Sequence, residues 1–355
     1  MIIEETIRNI GEPDLAARQR MQEHLDSLIK PPGSLGALED AAVKLAGIHG
    51  TLDLSIRGKC VILAAGDHGV VDEGVSVAPR EITYQIIPAF LNGTSGVGVL
   101  ARHAGARLVV IDAGVAASVD FPGVRRLKVR PGTANLARGP AMSRAEAVQA
   151  VEAGIAVAEE EIGRGADLLA TGDMGIGNTT PSAAILAVLG GYPPREAAGR
   201  GTLVNDEVLE RKIEVIERAI EVNRPDPSDP LDVLAKVGGL EIAALAGVIL
   251  GAAGKRVPVV LDGFITTAAA LVAARLAPRS VNFLFAGHLS GEQGHRLMLE
   301  MLGLSPLLNL GLRLGEGTGA ALAMHLVEAA AKIATQMATF ATAQLAELNE
   351  DMIAR

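Results

Sequence analysis

The sequence has very few aromatic residues and no tryptophan, which limits the ligands that it can bind. Phe, Tyr and Trp together make up 2% of the 355 residues. Proteins that bind single-stranded nucleic acid stack the bases on exposed aromatic rings. The net charge of -9 also leaves no broad basic surface for nucleic acid or anionic lipid. We therefore expect no nucleic-acid or membrane partner, and an anionic small molecule must be held by backbone amides and one or two basic residues.

Cysteines and long apolar runs are also scarce. The single cysteine, Cys60, excludes an internal disulfide, and because it opens an apolar strand we expect a buried, inert thiol. Residues 1–20 are charged and lack the apolar core of a secretory signal. The longest apolar stretch, residues 242–253, is too short and too rich in Gly and Ala to span a bilayer. These features predict a cytoplasmic protein.

The chain does contain enough apolar residues for a large core, and their pattern indicates the fold class. Hydrophobic residues make up 49% of the sequence, which suits one large α/β domain with or without a smaller partner. Unbroken apolar runs of the kind found in parallel strands each lead into a glycine-containing turn, and they occupy residues 60–65, 108–112, 168–171, 257–262 and 281–286. Helical patterns separate them. We therefore predict an α/β fold with a doubly wound, Rossmann-like parallel sheet, whose ligand lies beyond the carboxyl ends of the strands.

The two ends of the chain have helical patterns and no strands of their own. An Ala-rich helix is predicted to begin after Gly319 and to run to about Leu348. We therefore predict a small helical domain built from residues 1–55 and 320–355, beside a large α/β domain of residues 56–319.

A glycine-rich stretch, residues 171–180 (TGDMGIGNTT), connects a predicted strand to a predicted helix. Such a turn points bare backbone N–H groups and a positive helix end at an anion, so phosphate is the expected ligand. It is neither a Walker A loop nor a well-placed dinucleotide fingerprint. A turn of this kind serves as a simple connector about as often as it binds a ligand. Asp173 favours the second role, because a purely structural loop needs no carboxylate there.

Other polar residues at strand ends allow more than one interpretation. Asp67 and His68 suggest a metal site or a catalytic dyad, but His288 and His295 are seven residues apart and cannot share a helix face as close ligands. The sequence has no HExxH motif, cysteine cluster or aspartate-rich magnesium motif, so no metal is expected. We favour a structural role for Asp67 and His68, in which they hydrogen-bond the strand ends.

Three further candidates lie in the second half of the chain. Ser290 and the Gly291 amide either cap the helix that follows them or bind a phosphate, since both tasks use the same N–H groups. Lys212 lies on an amphipathic helix, where a lysine is usually solvated. Glu316 stands between two glycines after an apolar segment. It either favours the helix N-terminus through the dipole or is a general base whose pKa is raised by desolvation.

Taken together, these stretches resemble one family, the nicotinate-nucleotide–dimethylbenzimidazole phosphoribosyltransferases of cobalamin lower-ligand synthesis. The matching segments occur in the family's order and are residues 30–36 (KPPGSLG), 66–69 (GDHG), 172–180 (GDMGIGNTT), 261–263 (LDG), 288–292 (HLSGE) and 314–319 (LGEGTG). No single segment is decisive, but their joint order is specific, and it covers nearly the whole chain.

The resemblance implies transfer of the phosphoribosyl group of nicotinate mononucleotide to 5,6-dimethylbenzimidazole, without a cofactor or metal and by a homodimer. Glu316 matches the family's general base, which takes the N–H proton of the benzimidazole, and Asp173 matches a second catalytic carboxylate. The implied substrate-binding residues are Gln85 at the aromatic base, Gly175, Gly177, Lys212, Ser290 and Gly291 near the phosphate and ribose, and also Asn178 and Asp262.

Two alternatives remain open at this point. A nicotinamide-dinucleotide oxidoreductase would suit the predicted sheet, but residues 66–69 stand where its fingerprint should follow the first strand. A non-catalytic sensor of nicotinate mononucleotide would bind the nucleotide without releasing nicotinate, and it would have no reason to place Glu316 over the site. The fold alone does not separate these functions.

Overall fold

A parallel β-sheet forms the centre of the fold. The structure is a computed structural model and describes residues 1–201 and 204–346. Within these residues the sheet has seven strands, β1 (Lys59–Gly66), β2 (Ala106–Gly114), β3 (Val124–Arg126), β4 (Leu168–Met174), β5 (Val259–Leu261), β6 (Leu284–His288) and β7 (Pro306–Leu308). Their order is β3-β2-β1-β4-β5-β6-β7, and every pair is parallel. The order reverses between β1 and β4, which is where α/β sheets form a ligand-binding crevice. The predicted doubly wound parallel sheet is confirmed.

Helices connect and flank the strands. In the described part of the chain the α-helices are α1 (Ile2–Asn9), α2 (Leu15–Asp26), α3 (Ala37–His49), α4 (Ile82–Gln85), α5 (Ile87–Leu91), α6 (Gly96–His103), α7 (Arg144–Gly163), α8 (Thr179–Gly190), α9 (Pro194–Ala197), α10 (Asp206–Asn223), α11 (Pro230–Val237), α12 (Leu240–Gly254), α13 (Phe264–Leu276), α14 (Gln293–Leu302) and α15 (Thr318–Gln336). Short 3₁₀ helices cover Gly69–Glu73 and Pro278–Phe283. Among the described residues, no helix is both long enough and apolar enough to cross a membrane.

Strand boundaries differ from the prediction where the chain is not deeply buried. Strands β3 and β7 were not predicted, because each has only three residues and neither forms a buried apolar run. The last predicted strand, residues 281–286, was placed too early. Its first half belongs to the 3₁₀ helix Pro278–Phe283, which begins at a proline, and β6 starts at Leu284.

Helices α7 and α12 pack with their backbones in direct contact. A Cβ atom at Gly154 would lie 1.8 Å from the carbonyl oxygen of Ala244, and one at Gly247 would lie 1.9 Å from that of Val151. Helix α12 is buried at every residue from Leu240 to Ala253, so the longest apolar stretch of the sequence is an interior helix. Small residues therefore fill this part of the core in place of aromatic rings.

The chain divides into two compact units. The larger unit contains Met1–Gly11 and Gly58–Met324, and it includes the whole sheet. The smaller contains Glu12–Arg57 and the described residues after Met324. The sequence predicted residues 1–11 as part of the small domain. In the structure they belong to the larger unit, because α1 packs on α7 and α12.

The last helix is shorter than predicted. Helix α15 ends at Gln336, and the predicted end at Leu348 lies outside the described residues. After the helix the chain pairs with an earlier segment: the Ile29 N–H donates to the carbonyl of Ala338, and the Phe340 N–H donates to that of Ser27. These backbone bonds replace the ones that a continued helix would make.

Candidate active site

Asp173 lies on β4, one residue before the end of the strand, at the carboxyl edge of the sheet. The predicted turn of residues 171–180 therefore begins later than expected, because residues 171–174 belong to the strand. Glycines are required here because other backbone segments approach closely. A Cβ at Gly172 would lie 2.1 Å from the Glu316 carbonyl oxygen, and one at Gly175 would lie 2.4 Å from that of Gly66. Asn178 donates from Nδ2 to Oδ2 of Asp173 at 2.9 Å, just before α8 begins. A hydrogen bond from the turn thus holds the Asp173 carboxyl group at the end of its strand.

Asp173 is a carboxyl group deprived of water. Its Oδ1 atom is buried without a hydrogen-bond partner in the described structure. Burial raises the pKa of Asp173 to about 8, the negative charge of Asp262 adds to the rise, and the hydrogen bond from Asn178 opposes it. At neutral pH Asp173 is therefore mostly protonated and can donate a hydrogen bond.

Glu316 projects from a backbone loop of unusual conformation. Gly315, Glu316 and Gly317 all have positive φ angles, of 80°, 63° and 102°. The left-handed conformation costs a non-glycine residue about 1–2 kcal/mol, and such strain is found most often at functional sites. The backbone around Glu316 is therefore held in place by its surroundings.

The carboxylate of Glu316 is held at the N-terminus of α6. Its Oε2 atom accepts the Val97 N–H at 3.1 Å, and Glu316 is 6% exposed. Burial raises the pKa of Glu316 and the charge of Asp262 adds to the rise, whereas the amides of Val97 and Gly96 lower it. The result is a desolvated, oriented carboxylate with raised basicity, as a general base requires.

A cavity at the carboxyl edge of the sheet brings several of the predicted residues together. Its lining includes the predicted residues Asp173, Gly175, Asn178, Ser290 and Glu316. Apolar side chains, among them Ile86, Phe264 and Leu314, form much of the rest. The cavity therefore combines two carboxyl groups with walls suited to a flat, apolar ring.

An adjoining cavity contains two more of the predicted phosphate residues. It shares Gly175, Asn178 and Thr179 with the first cavity and adds Gly177 and Lys212. A lysine on a helix is usually solvated, but Lys212 is only 1% exposed. Its Nζ donates to Thr179 Oγ1 at 2.6 Å and to the Gly199 carbonyl at 3.0 Å. Burial lowers the pKa of Lys212 to about 8, with Glu292 opposing the fall.

Three predicted substrate-binding residues do not line either cavity. Gln85 is exposed at the end of α4, although its neighbour Ile86 faces the first cavity. The Gly291 N–H donates to the carbonyl of Leu312 at 3.0 Å, so it is not free for a phosphate. Asp262 is buried under the Glu316 loop and accepts backbone N–H groups there.

Sequence reasoning missed two arginines. Arg313 lines the first cavity and Arg200 lines the second. The net negative charge called for one or two local basic residues, but neither arginine belongs to a matching motif. Arg313 stands three positions before Glu316, and that nearness was the available signal.

Two of the histidines lie at strand ends and contact buried carboxylates. His68 Nε2 lies 2.7 Å from Glu241 Oε1, and Asp67 Oδ2 accepts the Ala116 N–H at 2.7 Å, which agrees with the structural role that we favoured. His288 lines the first cavity, and its Nε2 lies 3.6 Å from Asp262 Oδ1. Among residues 1–201 and 204–346, no group of three or more His, Cys, Asp or Glu side chains is arranged to hold a metal ion.

Comparison with known proteins gives one consistent result. A family model described as phosphoribosyltransferase matches residues 10–345. The chain is 54% identical over 353 residues to the nicotinate-nucleotide–dimethylbenzimidazole phosphoribosyltransferase of Desulforudis audaxviator, covering 99% of each. It is 52% identical over 347 residues to that of Geobacter sulfurreducens, covering 98% of this chain and 99% of the relative. The crystal structure of CobT from Thermus thermophilus superposes with a TM-score of 0.90 at 49% identity, covering 93% of this chain and 99% of that one.

Proposed function

The chain belongs to this phosphoribosyltransferase family, and we propose that it transfers the phosphoribosyl group of nicotinate mononucleotide to 5,6-dimethylbenzimidazole. The products are α-ribazole 5′-phosphate and nicotinate. The observation that carries this proposal is the pairing of two cavities. One contains Glu316 and Asp173 among apolar walls, and the other contains the buried cation of Lys212.

The reaction exchanges one C–N bond at the ribose for another. A ring nitrogen of the benzimidazole attacks C1′ from the face opposite to nicotinate, and the bond from C1′ to the nicotinate nitrogen breaks. The electron pair of that bond returns to the positively charged pyridinium ring, which makes nicotinate a good leaving group. The new riboside gives up its N–H proton to a base. The protein must therefore position two flat rings about the sugar and accept one proton.

Glu316 accepts that proton. It lines the apolar cavity, and its carboxylate is oriented by the Val97 N–H. Before it takes the proton, its negative charge also favours the positive charge that develops on the ribose in the transition state. Asp173, protonated at neutral pH, then donates a hydrogen bond to a bound substrate through its carboxyl group.

The second cavity suits the 5′-phosphate. Lys212 supplies a positive charge, and Arg200, which also pairs with Asp206, supplies a second. The cavity includes Asn178 and Thr179 at the N-terminus of α8, and a helix N-terminus favours an anion. One nucleotide then spans both cavities, with its phosphate in the second and its nicotinate ring in the first.

The test is nicotinate release from nicotinate mononucleotide, with and without 5,6-dimethylbenzimidazole, in EDTA. We expect release that depends on the base and survives EDTA. Glu316→Gln should lower kcat by about 100-fold or more with a modest change in KM, because one general base contributes 10²–10⁴-fold. The matched control is Glu300→Gln, an exposed glutamate on α14, which should keep wild-type turnover.

Other outcomes would favour the alternatives. Tight nucleotide binding without release would support a sensor, and a near-normal kcat for Glu316→Gln would remove Glu316 from the role of base. Hydride transfer with a nicotinamide dinucleotide would support the oxidoreductase, which the family relationship does not favour.

We also propose that the enzyme works in the cytoplasm as a homodimer. The sequence resemblance to the family supports the dimer. The Ala-rich helix α15, which the sequence suggested as an interface, buries its alanines Ala320, Ala321, Ala323, Ala330, Ala331 and Ala334 within the chain. Sedimentation analysis of the purified chain at micromolar concentration measures the assembly, and a monomer would contradict it.

A further inference from the structure

Asp262 is a buried carboxylate that binds backbone rather than either cavity. It follows the last residue of β5 and is 1% exposed. Its Oδ1 accepts the Gly319 N–H at 2.7 Å and the Ala320 N–H at 3.0 Å. Its Oδ2 accepts the Gly317 N–H at 3.1 Å. One side chain thus binds three amides of the segment that follows Glu316.

These amides need an external partner because they begin a helix. The first N–H groups of an α-helix have no acceptor within the helix. At the start of α15, the Thr318 N–H reaches the Gly315 carbonyl and the Ala321 N–H reaches that of Gly317. The N–H groups of Gly319 and Ala320, between them, are satisfied by Asp262 from a neighbouring strand. Asp262 is therefore the cap of α15, supplied from a distant part of the sequence.

The same contact holds the loop of residues 315–320 in its strained conformation. The Glu316 side chain is held by α6 through Val97, but its left-handed backbone needs a second support. Asp262 supplies that support through the very next residue, Gly317. Strained conformations persist where their surroundings over-determine them.

The charge of Asp262 acts on the same loop. It adds to the rise in the pKa of Glu316 and of Asp173. Burial raises the pKa of Asp262 itself, whereas His288 and the three amides lower it. Because Asp262 faces three N–H donors, the ionised form suits this environment.

We propose that Asp262 is a positioning residue, which caps α15 and thereby holds the Glu316 loop in place without touching the substrate. This rests on the proposed function of Glu316 as the base, and it replaces the substrate-binding role that the sequence suggested for Asp262. A substrate contact would affect KM, whereas a positioning role affects kcat and the pH profile.

The kinetic test uses Asp262→Asn. An asparagine keeps one acceptor oxygen but turns an N–H₂ group towards the Gly317 N–H, and it removes the charge. We expect kcat to fall at least about tenfold and KM for nicotinate mononucleotide to change by less than about threefold. The acidic limb of the kcat profile should move to lower pH, because Glu316 loses a like-charged neighbour. Asp173 loses the same like-charged neighbour, so its pKa should fall in the same direction. His288, whose Nε2 lies 3.6 Å from Asp262 Oδ1, keeps a hydrogen-bond acceptor in the asparagine.

Asp112→Asn is the matched control. Asp112 is also a buried aspartate on a strand near its carboxyl end, and its Oδ1 accepts the Val115 N–H at 2.9 Å. It lies on β2, which β1 and β4 separate from β5. Asp112→Asn should leave the pH dependence of kcat unchanged. A tenfold rise in KM with unchanged kcat for Asp262→Asn, or equal profiles for the two variants, would overturn the proposal.

A second measurement needs neither a variant nor activity. In the wild-type protein without ligand, the amides of Gly317, Gly319 and Ala320 should exchange with deuterium at least about 100-fold more slowly than in an unfolded chain. Rapid exchange would overturn the cap even if Asp262→Asn failed to fold. Slow exchange together with an absence of nicotinate release would contradict the proposed function and leave the cap standing.

Discussion

Replacing Gly172 with alanine would place a methyl group against the backbone of Glu316. The new Cβ would lie 2.1 Å from the Glu316 carbonyl oxygen and 3.0 Å from the Gly317 nitrogen, whereas ordinary contacts begin at 3.4 Å. The two segments must therefore separate by about 1.3 Å. Gly172 is in register with Leu63 of β1 inside the sheet, so we expect the Glu316 loop to move instead.

The size of this displacement sets the expected loss of activity. A catalytic group misplaced by about 1 Å can cost about 100-fold in rate, so kcat for Gly172→Ala should fall by about that factor. Overpacking of a well-packed site costs about 1–3 kcal/mol of stability, so the melting temperature should fall by several degrees. Binding of nicotinate mononucleotide should persist, because Lys212 and its cavity are not touched by the new methyl group.

The assay combines nicotinate release, calorimetric binding of the nucleotide and thermal unfolding. Gly163→Ala is the control, because Gly163 is an exposed residue of α7 whose added Cβ would meet nothing within 4 Å. It should leave kcat unchanged and raise the free energy of unfolding by up to about 1 kcal/mol. If Gly172→Ala keeps kcat within about twofold of wild type, the position of the Glu316 backbone does not limit catalysis, and the reasoning fails.

Two further predictions concern pH. The pKa of Lys212 is about 8, so its positive charge is lost as the pH rises through that value, and KM for nicotinate mononucleotide should increase there. Lys212→Met should raise KM at pH 7 and remove this dependence, and an unchanged KM at pH 7 would argue against a phosphate contact. Burial raises the folded-state pKa of Asp173 to about 8, so ionising it costs stability as the pH rises from the ordinary carboxyl range through 8. In thermal unfolding, Asp173→Asn should therefore be more stable than wild type at pH 8.5 and equally stable at pH 4. Equal stability of the two proteins at both pH values would contradict a buried carboxyl group with a raised pKa.

The sheet could be predicted because its central strands are buried on both faces. Strand β1 is buried from Cys60 to Gly66, so its apolar run is continuous and distinct from the flanking helices. The edge strand β3 has the sequence Val-Arg-Arg, and no hydrophobic pattern marks it. Its pairing with β2 depends on tertiary contacts that a local pattern does not contain.

Part of the site could also be predicted from the local sequence. Asp173 and Glu316 stand out because carboxylates are unusual in glycine-rich segments, and both line one cavity. The role of Asp262 was not visible, because its partners are the backbone amides of Gly317, Gly319 and Ala320, which carry no side-chain signal. The burial of Lys212 likewise depends on Gly199 and Thr179, which lie on other segments of the chain.

The backbone contact between α7 and α12 has a consequence for the gene that encodes the protein. At Gly154 and Gly247 the two helices leave no room for even one carbon atom. A single nucleotide change turns any glycine codon into an alanine codon, which is among the mildest substitutions available and is usually favourable in a helix. At these two positions it would push apart the helices that support the sheet. Gene variants altered at these codons should therefore be removed by selection while the same change at Gly163 drifts freely.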